Sequence, residues 1–171
     1  MTLIINSKRC YLRRLDLKDD LSKYLYWMQT PANNPFILSA KLDFGLNQLK
    51  EFIANCNIRH DIMLLGIFTN INDVHIGNIK FAGIDLVNKS AWLGILIGDK
   101  DYRGKGIARE IIVTSILWIS QKYKIESIKL GVDPNNIIAC RLYQKMGFEI
   151  IERSLSGGYI MEIKTDNLNE I

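Results

Sequence analysis

The stretch "DYRGKGIARE", residues 101–110, joins a glycine-rich turn to the start of an apolar helix. Gly104 and Gly106 permit backbone conformations that other residues rarely adopt, and they let the main chain approach a ligand closely. A helix that begins at Ile107 points unpaired N–H groups and a partial positive charge toward these glycines. The stretch therefore favours a phosphate site, although many solvated surface loops share its composition.

Two known nucleotide-binding motifs do not fit this stretch. The motif G-x-x-x-x-G-K-[ST] needs a hydroxyl after its lysine to hold magnesium, but Lys105 is followed by Gly106. The motif G-x-G-x-x-G needs a small third residue for close helix packing, but Arg109 stands there. The pattern that remains is R-x-x-G-x-[GA], which Arg103, Gly106 and Ala108 match. It lies between a buried strand and a buried helix.

The composition is that of an ordinary globular protein. The chain has 171 residues, of which 48% are hydrophobic and 23% charged, so we expect one domain over residues 1–171. The 22 basic and 18 acidic residues are scattered and give a formal charge of +4. This balance favours an anionic small molecule as the ligand and predicts no nucleic-acid partner.

The cysteines and the apolar segments predict a cytoplasmic protein. Cys10, Cys56 and Cys140 lie far apart and form no C-x-x-C pair, which indicates reduced thiols, no disulfide framework and no metal site. The first ten residues lack the apolar core of a secretory signal, and polar residues interrupt every long apolar stretch. We therefore expect no membrane partner.

The hydrophobic periodicity predicts an α+β fold with a mixed central sheet of about six to seven strands and roughly four helices. "LNQLKEFIANC" (46–56) and "IAREIIVTSILWISQKY" (107–123) have helical spacing, and three strands between residues 62 and 98 suggest an antiparallel meander. The last of the three, "AWLGILIG" (91–98), is almost entirely apolar, which predicts a central strand buried on both faces.

A resemblance to a known family rests on two segments. "RGKGIA" (103–108) follows "AWLGILIG" (91–98), and "VDPNNIIACRLYQKMGF" (132–148) comes later in the chain. This pair resembles the signature of the GNAT superfamily of acetyl-CoA-dependent N-acetyltransferases. "YLRRL", "YLYWMQTP" and "HIGNIKFAGID" are similar to the branch with ribosomal-protein N-terminal acetyltransferases and enzymes that acetylate nucleotide-linked amino sugars.

The resemblance implies a GNAT-like fold, acetyl-CoA as co-substrate and a set of site residues. The general acid that protonates the departing thiolate falls on Tyr143, and the asparagine that contacts pantetheine falls on Asn136. Backbone groups of the strand before the loop pair with pantetheine. The implied coenzyme A contacts are Leu96, Ile97, Arg103, Gly104, Lys105, Gly106, Ile107, Ala108 and Asn136.

The general base and the acceptor are less defined. Relatives in the protein-acetylating branch often carry a glutamate in an "A-E-x-G" setting, where this chain has Trp92. His60, His75, Asp85 or a water chain is then left to deprotonate the amine. Aromatic and amide side chains that favour a sugar or base cluster at Tyr24, Trp27, Asn33, Asn34 and Phe36.

The predicted function is acetyl transfer to a primary amine of a small acceptor, with a nucleotide-linked amino sugar first. The alternatives are a ribosomal-protein type N-terminal acetyltransferase and a coenzyme A-binding module without catalysis. A homodimer is a further possibility that the sequence leaves open.

Overall fold

The computed structural model describes residues 3–36 and 43–168, and within them eight strands and four α-helices follow one another along the chain. The strands are β1 (Ile4–Asn6), β2 (Cys10–Arg14), β3 (Ile62–Thr69), β4 (His75–Asp85), β5 (Ser90–Ile97), β6 (Ser127–Val132), β7 (Glu149–Arg153) and β8 (Tyr159–Lys164). The helices are α1 (Ser22–Gln29), α2 (Leu46–Ile58), α3 (Ile107–Tyr123) and α4 (Ile137–Lys145).

All eight strands form one sheet in the order β1-β2-β3-β4-β5-β6-β8-β7. Neighbouring strands are antiparallel except β5 and β6, which are parallel, so the mixed α+β sheet of the prediction is confirmed. The sheet has one strand more than expected. The additional strand β1 has three residues, of which only Ile5 is buried, and so short a segment carries no readable alternation.

The helices cover the two faces of the sheet. On one face, Leu49 and Ile53 of α2 pack with Leu64 and Phe68 of β3 in a cluster that also includes residues of α1. On the other face, the apolar stripe of α3 packs against the inward side chains of the central strands, and α4 joins this larger cluster through Tyr143. The 3.6-residue periodicity of both long helices explains these stripes.

Strand β3 is buried on both faces, and the expectation that β5 would be buried on both faces is wrong. Every residue of β3 from Met63 to Thr69 is buried. In β5, Ala91 and Leu93 are buried, whereas Trp92 and Gly94 are exposed. Apolar composition alone did not reveal that one face of β5 is left open beside the helical layer.

Among the described residues, no helix combines the length and the apolar character needed to cross a bilayer. Cys10 and Cys56 are buried and Cys140 is partly buried, and all three are free thiols.

Candidate active site

The strands β5 and β6 separate in the middle of the sheet. They pair from Ser90 to Trp92 with Ser127 to Lys129, and beyond this point the edge of β5 has no neighbouring strand. The Gly98 amide donates to the Ile76 carbonyl of β4. Because alternate residues of a strand direct their main-chain groups to opposite edges, Leu96 points to β4 while Ile95 and Ile97 point into the opening.

This alternation changes one expectation about the backbone contacts. Ile97 faces the opening as expected, but its carbonyl already accepts from Arg103 Nε at 2.7 Å. The N–H and C=O of Leu96 point toward β4, so Leu96 has no main-chain group in the opening. The neighbouring residue Ile95 presents its N–H and C=O there instead. The opening therefore offers the N–H and C=O of Ile95 and the N–H of Ile97.

The loop with Gly104 and Gly106 between β5 and α3, here called the glycine loop, forms a cradle of main-chain amides. Gly104 and Gly106 have φ of 71° and 75°, in the left-handed region that favours glycine. Helix α3 begins directly after Gly106, and the amides of residues 104–109 donate no hydrogen bond to another described residue. These unpaired donors, together with the helix N-terminus, fit a phosphate group.

Arg103 lies in the loop between β5 and α3, where its guanidinium is hydrogen-bonded to two neighbouring segments. Its Nε and Nη2 donate to the carbonyls of Ile97 and Gly98 at 2.7 and 3.1 Å, and Nη2 also donates to Asn34 Oδ1 at 2.7 Å. The side chain thus fastens the end of β5 to the segment after α1. Lys105 is exposed, and its Nζ lies 5.8 Å from the centre of the Tyr102 ring.

A second arginine holds the loop from outside. Arg9 Nη1 donates to the Lys105 carbonyl at 2.8 Å, and Arg9 Nε forms an ion pair with Glu110 at 2.7 Å. Glu110 also accepts from the Arg9 amide and from Ser7 Oγ. The turn between β1 and β2 is therefore joined to both sides of the glycine loop.

Helix α4 supplies the two side chains expected from the second motif. Asn136 caps the helix, since its Oδ1 accepts from the Ala139 amide at 3.2 Å. Tyr143 is buried and its ring centre lies 5.7 Å from that of Phe148. Burial raises the pKa of the Tyr143 hydroxyl to about 12, so this group stays protonated at neutral pH.

Two cavities meet at Tyr143. The first, here called the helix cavity, is about 450 Å³ and lies between α1, α2 and the open face of β4 and β5. The second, here called the loop cavity, is about 510 Å³ and lies between α4 and the glycine loop. Both are lined by the same six residues, which are Phe36, Ile95, Leu96, Asn136, Ala139 and Tyr143.

The predicted acceptor residues divide between the cavities and the core. Tyr24 lines the helix cavity, and Phe36 lines both cavities. Trp27 is buried, with its ring centre 5.1 Å from that of His75. Asn34 lines the loop cavity, donates to the Trp27 carbonyl and accepts from Arg103. The side chain of Asn33 lies outside the described part of the structure.

None of the three residues considered as general base lines either cavity. His60 is exposed just after α2, and Asp85 accepts from the amides of Val87 and Asn88 in the turn after β4. His75 is buried, and burial lowers its pKa. Asp85 thus stabilises a turn and His75 lies in the core.

Two polar residues of β4 were missed by the sequence reasoning. Asn78 and Lys80 line the helix cavity, and Asn78 is buried. A signal was present in "HIGNIKF" (75–81), where two polar residues alternate with apolar ones inside a strand.

A family model described as "Acetyltransferase (GNAT) domain" matches residues 9–149. The chain belongs to the GNAT acetyltransferase family. Its solved neighbours include a spermidine N-acetyltransferase from Vibrio cholerae, in complex with CoA and spermine, at a TM-score of 0.83, 18% identity and coverage of 93% of this chain and 97% of that one. A putative ribosomal-protein-serine acetyltransferase from Vibrio cholerae has a TM-score of 0.76, 18% identity and coverage of 95% and 97%. At this identity both confirm the GNAT fold.

The similarity to curated relatives covers part of each chain. A probable spermine N(1)-acetyltransferase from Bacillus subtilis subsp. natto is 38% identical over 65 residues, which is 38% of this chain and 43% of the relative. The chain thus spans less than half the length of this relative.

Proposed function

We propose that this GNAT-family chain is an N-acetyltransferase that moves the acetyl group of acetyl-CoA to a primary amine of a small acceptor. The observation that carries the proposal is the junction of two cavities at Tyr143 and the unpaired edge of β5. One cavity then receives the acyl donor and the other receives the amine, so that the two reactants meet where a protonated hydroxyl stands.

Acetyl-CoA fits the loop cavity. The amides of residues 104–109 have no acceptor among the described residues, and pyrophosphate oxygens are suitable acceptors for them. The main-chain groups of Ile95 and Ile97 face the opening between β5 and β6, where an extended chain with amide groups, such as pantetheine, pairs as an additional strand. Asn136 lines the same cavity.

The reaction follows from these groups. The neutral amine nitrogen attacks the thioester carbon, and the Ile95 N–H donates to the carbonyl oxygen as negative charge develops there. The C–S bond then breaks as the Tyr143 hydroxyl donates a proton to the departing sulfur. The nitrogen passes its extra proton to a water chain, which returns a proton to the Tyr143 oxygen. The raised pKa of Tyr143 keeps this donor in its protonated form.

The acceptor proposed first is a nucleotide-linked amino sugar. The helix cavity of about 450 Å³ is of the size that holds a small molecule, and Tyr24, Phe36 and Asn78 combine aromatic surface with an amide. A polyamine is the second candidate, because a curated relative and a solved neighbour are named as spermine or spermidine acetyltransferases.

The test is thiol release from acetyl-CoA by the purified chain with nucleotide amino sugars, polyamines and peptides with free N-termini. We expect turnover with a small amine and a loss of at least tenfold in Tyr143→Phe. Preference for peptides would favour the N-terminal acetyltransferase instead. Bound coenzyme A without turnover on any amine would refute catalysis and favour a binding module.

A further inference from the structure

The orientation of the Asn78 amide is fixed by His75. His75 Nε2 lies 2.9 Å from the Gly77 carbonyl and 3.0 Å from Asn78 Oδ1. A carbonyl oxygen only accepts, so Nε2 must carry the hydrogen and Asn78 must present its oxygen to it. The Asn78 NH₂ group is therefore directed away from His75.

This NH₂ group has no hydrogen-bond acceptor in the part of the chain that the structure describes. Asn78 is 4% exposed, and its Nδ2 is a buried atom without an acceptor among the described residues. An unpaired buried donor is costly, and such atoms are rare in native structures. Because Asn78 lines the helix cavity, a ligand oxygen there would give the donor its acceptor.

Lys80 lies on the same face of β4, two residues further along, and lines the same cavity. Its Nζ lies 5.6 Å from the centre of the Phe52 ring, and the six ion pairs among the described residues do not include it. Gly94 stands opposite Lys80 in β5, and a side chain placed there would meet nothing within 4 Å. The ammonium group thus borders open space.

One carboxylate, that of Asp133, belongs to the described residues that line the helix cavity. Its Oδ1 already accepts from the amide and the side chain of Asn135 at 2.8 and 2.9 Å. The polar character of the cavity around β4 is therefore set by an amide donor and a cation.

We propose that Asn78 and Lys80 recognise an anionic oxygen of the acceptor, so that the preferred substrates are amines that also carry a phosphate or a carboxylate. This inference rests on the proposed function and adds the two residues that set acceptor specificity. A polyamine would instead bring positive charge to Lys80 and place no oxygen beside Asn78.

The kinetic test compares matched amines with the purified chain and saturating acetyl-CoA. Glucosamine and glucosamine 1-phosphate show the effect of adding a phosphate to the amine. Propylamine and β-alanine show the effect of adding a carboxylate. We expect kcat/KM to be about tenfold higher for the anionic member of at least one pair. Lys80→Met, which keeps the aliphatic stem, should remove this preference through a higher KM. Lys129→Met changes a half-buried strand lysine outside both cavities and should leave it unchanged.

A binding test separates this inference from the proposed function. Glucose 1-phosphate and propionate, which carry no amine, are titrated calorimetrically into the coenzyme A-loaded chain. The inference predicts that one of these anions binds and that Lys80→Met or Asn78→Leu weakens this binding about tenfold, while Lys129→Met does not. This result would support the anion site even where no amine is acetylated. Equal use of anionic and neutral amines, or no anion binding that depends on Lys80, would overturn the inference.

Discussion

Replacing Tyr143 by phenylalanine isolates one hydroxyl group at the junction of the two cavities. The ring is buried against Phe148, and the hydroxyl makes no hydrogen bond to another described residue. Its removal therefore leaves no donor or acceptor of the described residues without a partner. We expect the free energy of unfolding to change by no more than about 0.5 kcal/mol, since packing is retained.

The expected loss of activity is much larger than this change in stability. General acid catalysis contributes about 10²–10⁴-fold, so kcat should fall about 100-fold, which corresponds to about 2.7 kcal/mol of transition-state stabilisation. The dissociation constant for coenzyme A should stay within about twofold, because the hydroxyl acts on the departing sulfur. Thiol release under saturating substrates and calorimetric titration of coenzyme A measure the two quantities separately.

The pH dependence gives an independent check on the same residue. Burial raises the pKa of Tyr143 to about 12, so its proton-donating form is fully present at every pH well below that value. Loss of this proton should therefore cause no fall in kcat between pH 7 and about 10. A Tyr143→Phe variant with unchanged kcat, or with kcat and coenzyme A affinity reduced equally, would refute the assignment.

Three further perturbations test the remaining parts of the site. Gly94→Val places a side chain in the open space of the helix cavity, so the acceptor KM should rise about tenfold in steady-state kinetics while coenzyme A affinity is unchanged. Arg9→Met removes the donor to the Lys105 carbonyl and should raise the coenzyme A dissociation constant about threefold by calorimetry, because the ion pair is partly exposed; Arg59→Met, at an exposed pair, is the control. Burial lowers the pKa of His75, so the unfolded chain binds a proton at this residue more readily than the folded chain does. The free energy of unfolding measured with urea should therefore fall as the pH drops below about 6.5. An equal fall in His75→Gln would contradict this.

The features that the sequence predicted are those determined by local patterns. The stripe of Leu49, Ile53 and Cys56 on α2 recurs at helical spacing and is buried as that spacing requires. Gly104 and Gly106 adopt the positive φ that their place before a helix suggested. Each of these depends on neighbours within about one helical turn.

The features that escaped prediction depend on register between distant segments. Arg103 donates hydrogen bonds to acceptors from β5 and from the segment after α1, and no local pattern encodes that meeting. The direction of the Leu96 main-chain groups follows from the pairing of Leu96 in β5 with Asn78 in β4. Asn78 and Lys80 line the helix cavity because α1 and α2 lie over β4, an arrangement of distant segments that the local pattern of β4 does not encode.

The chemistry of the acceptor amine can be argued from the residues around it. Asp133 is the one carboxylate among the described residues of the helix cavity, and it already accepts two hydrogen bonds from Asn135. An amine with a pKa near 8 is about one-quarter neutral at pH 7.5, whereas a lysine-like amine near 10.4 is only about 0.1% neutral. The second amine therefore needs about 3.3 kcal/mol more to lose its proton. A cavity whose described lining holds so little basic capacity is better matched to the less basic amine, such as that of an amino sugar. The cation on β4 strengthens this match, because it favours an acceptor that also carries negative charge.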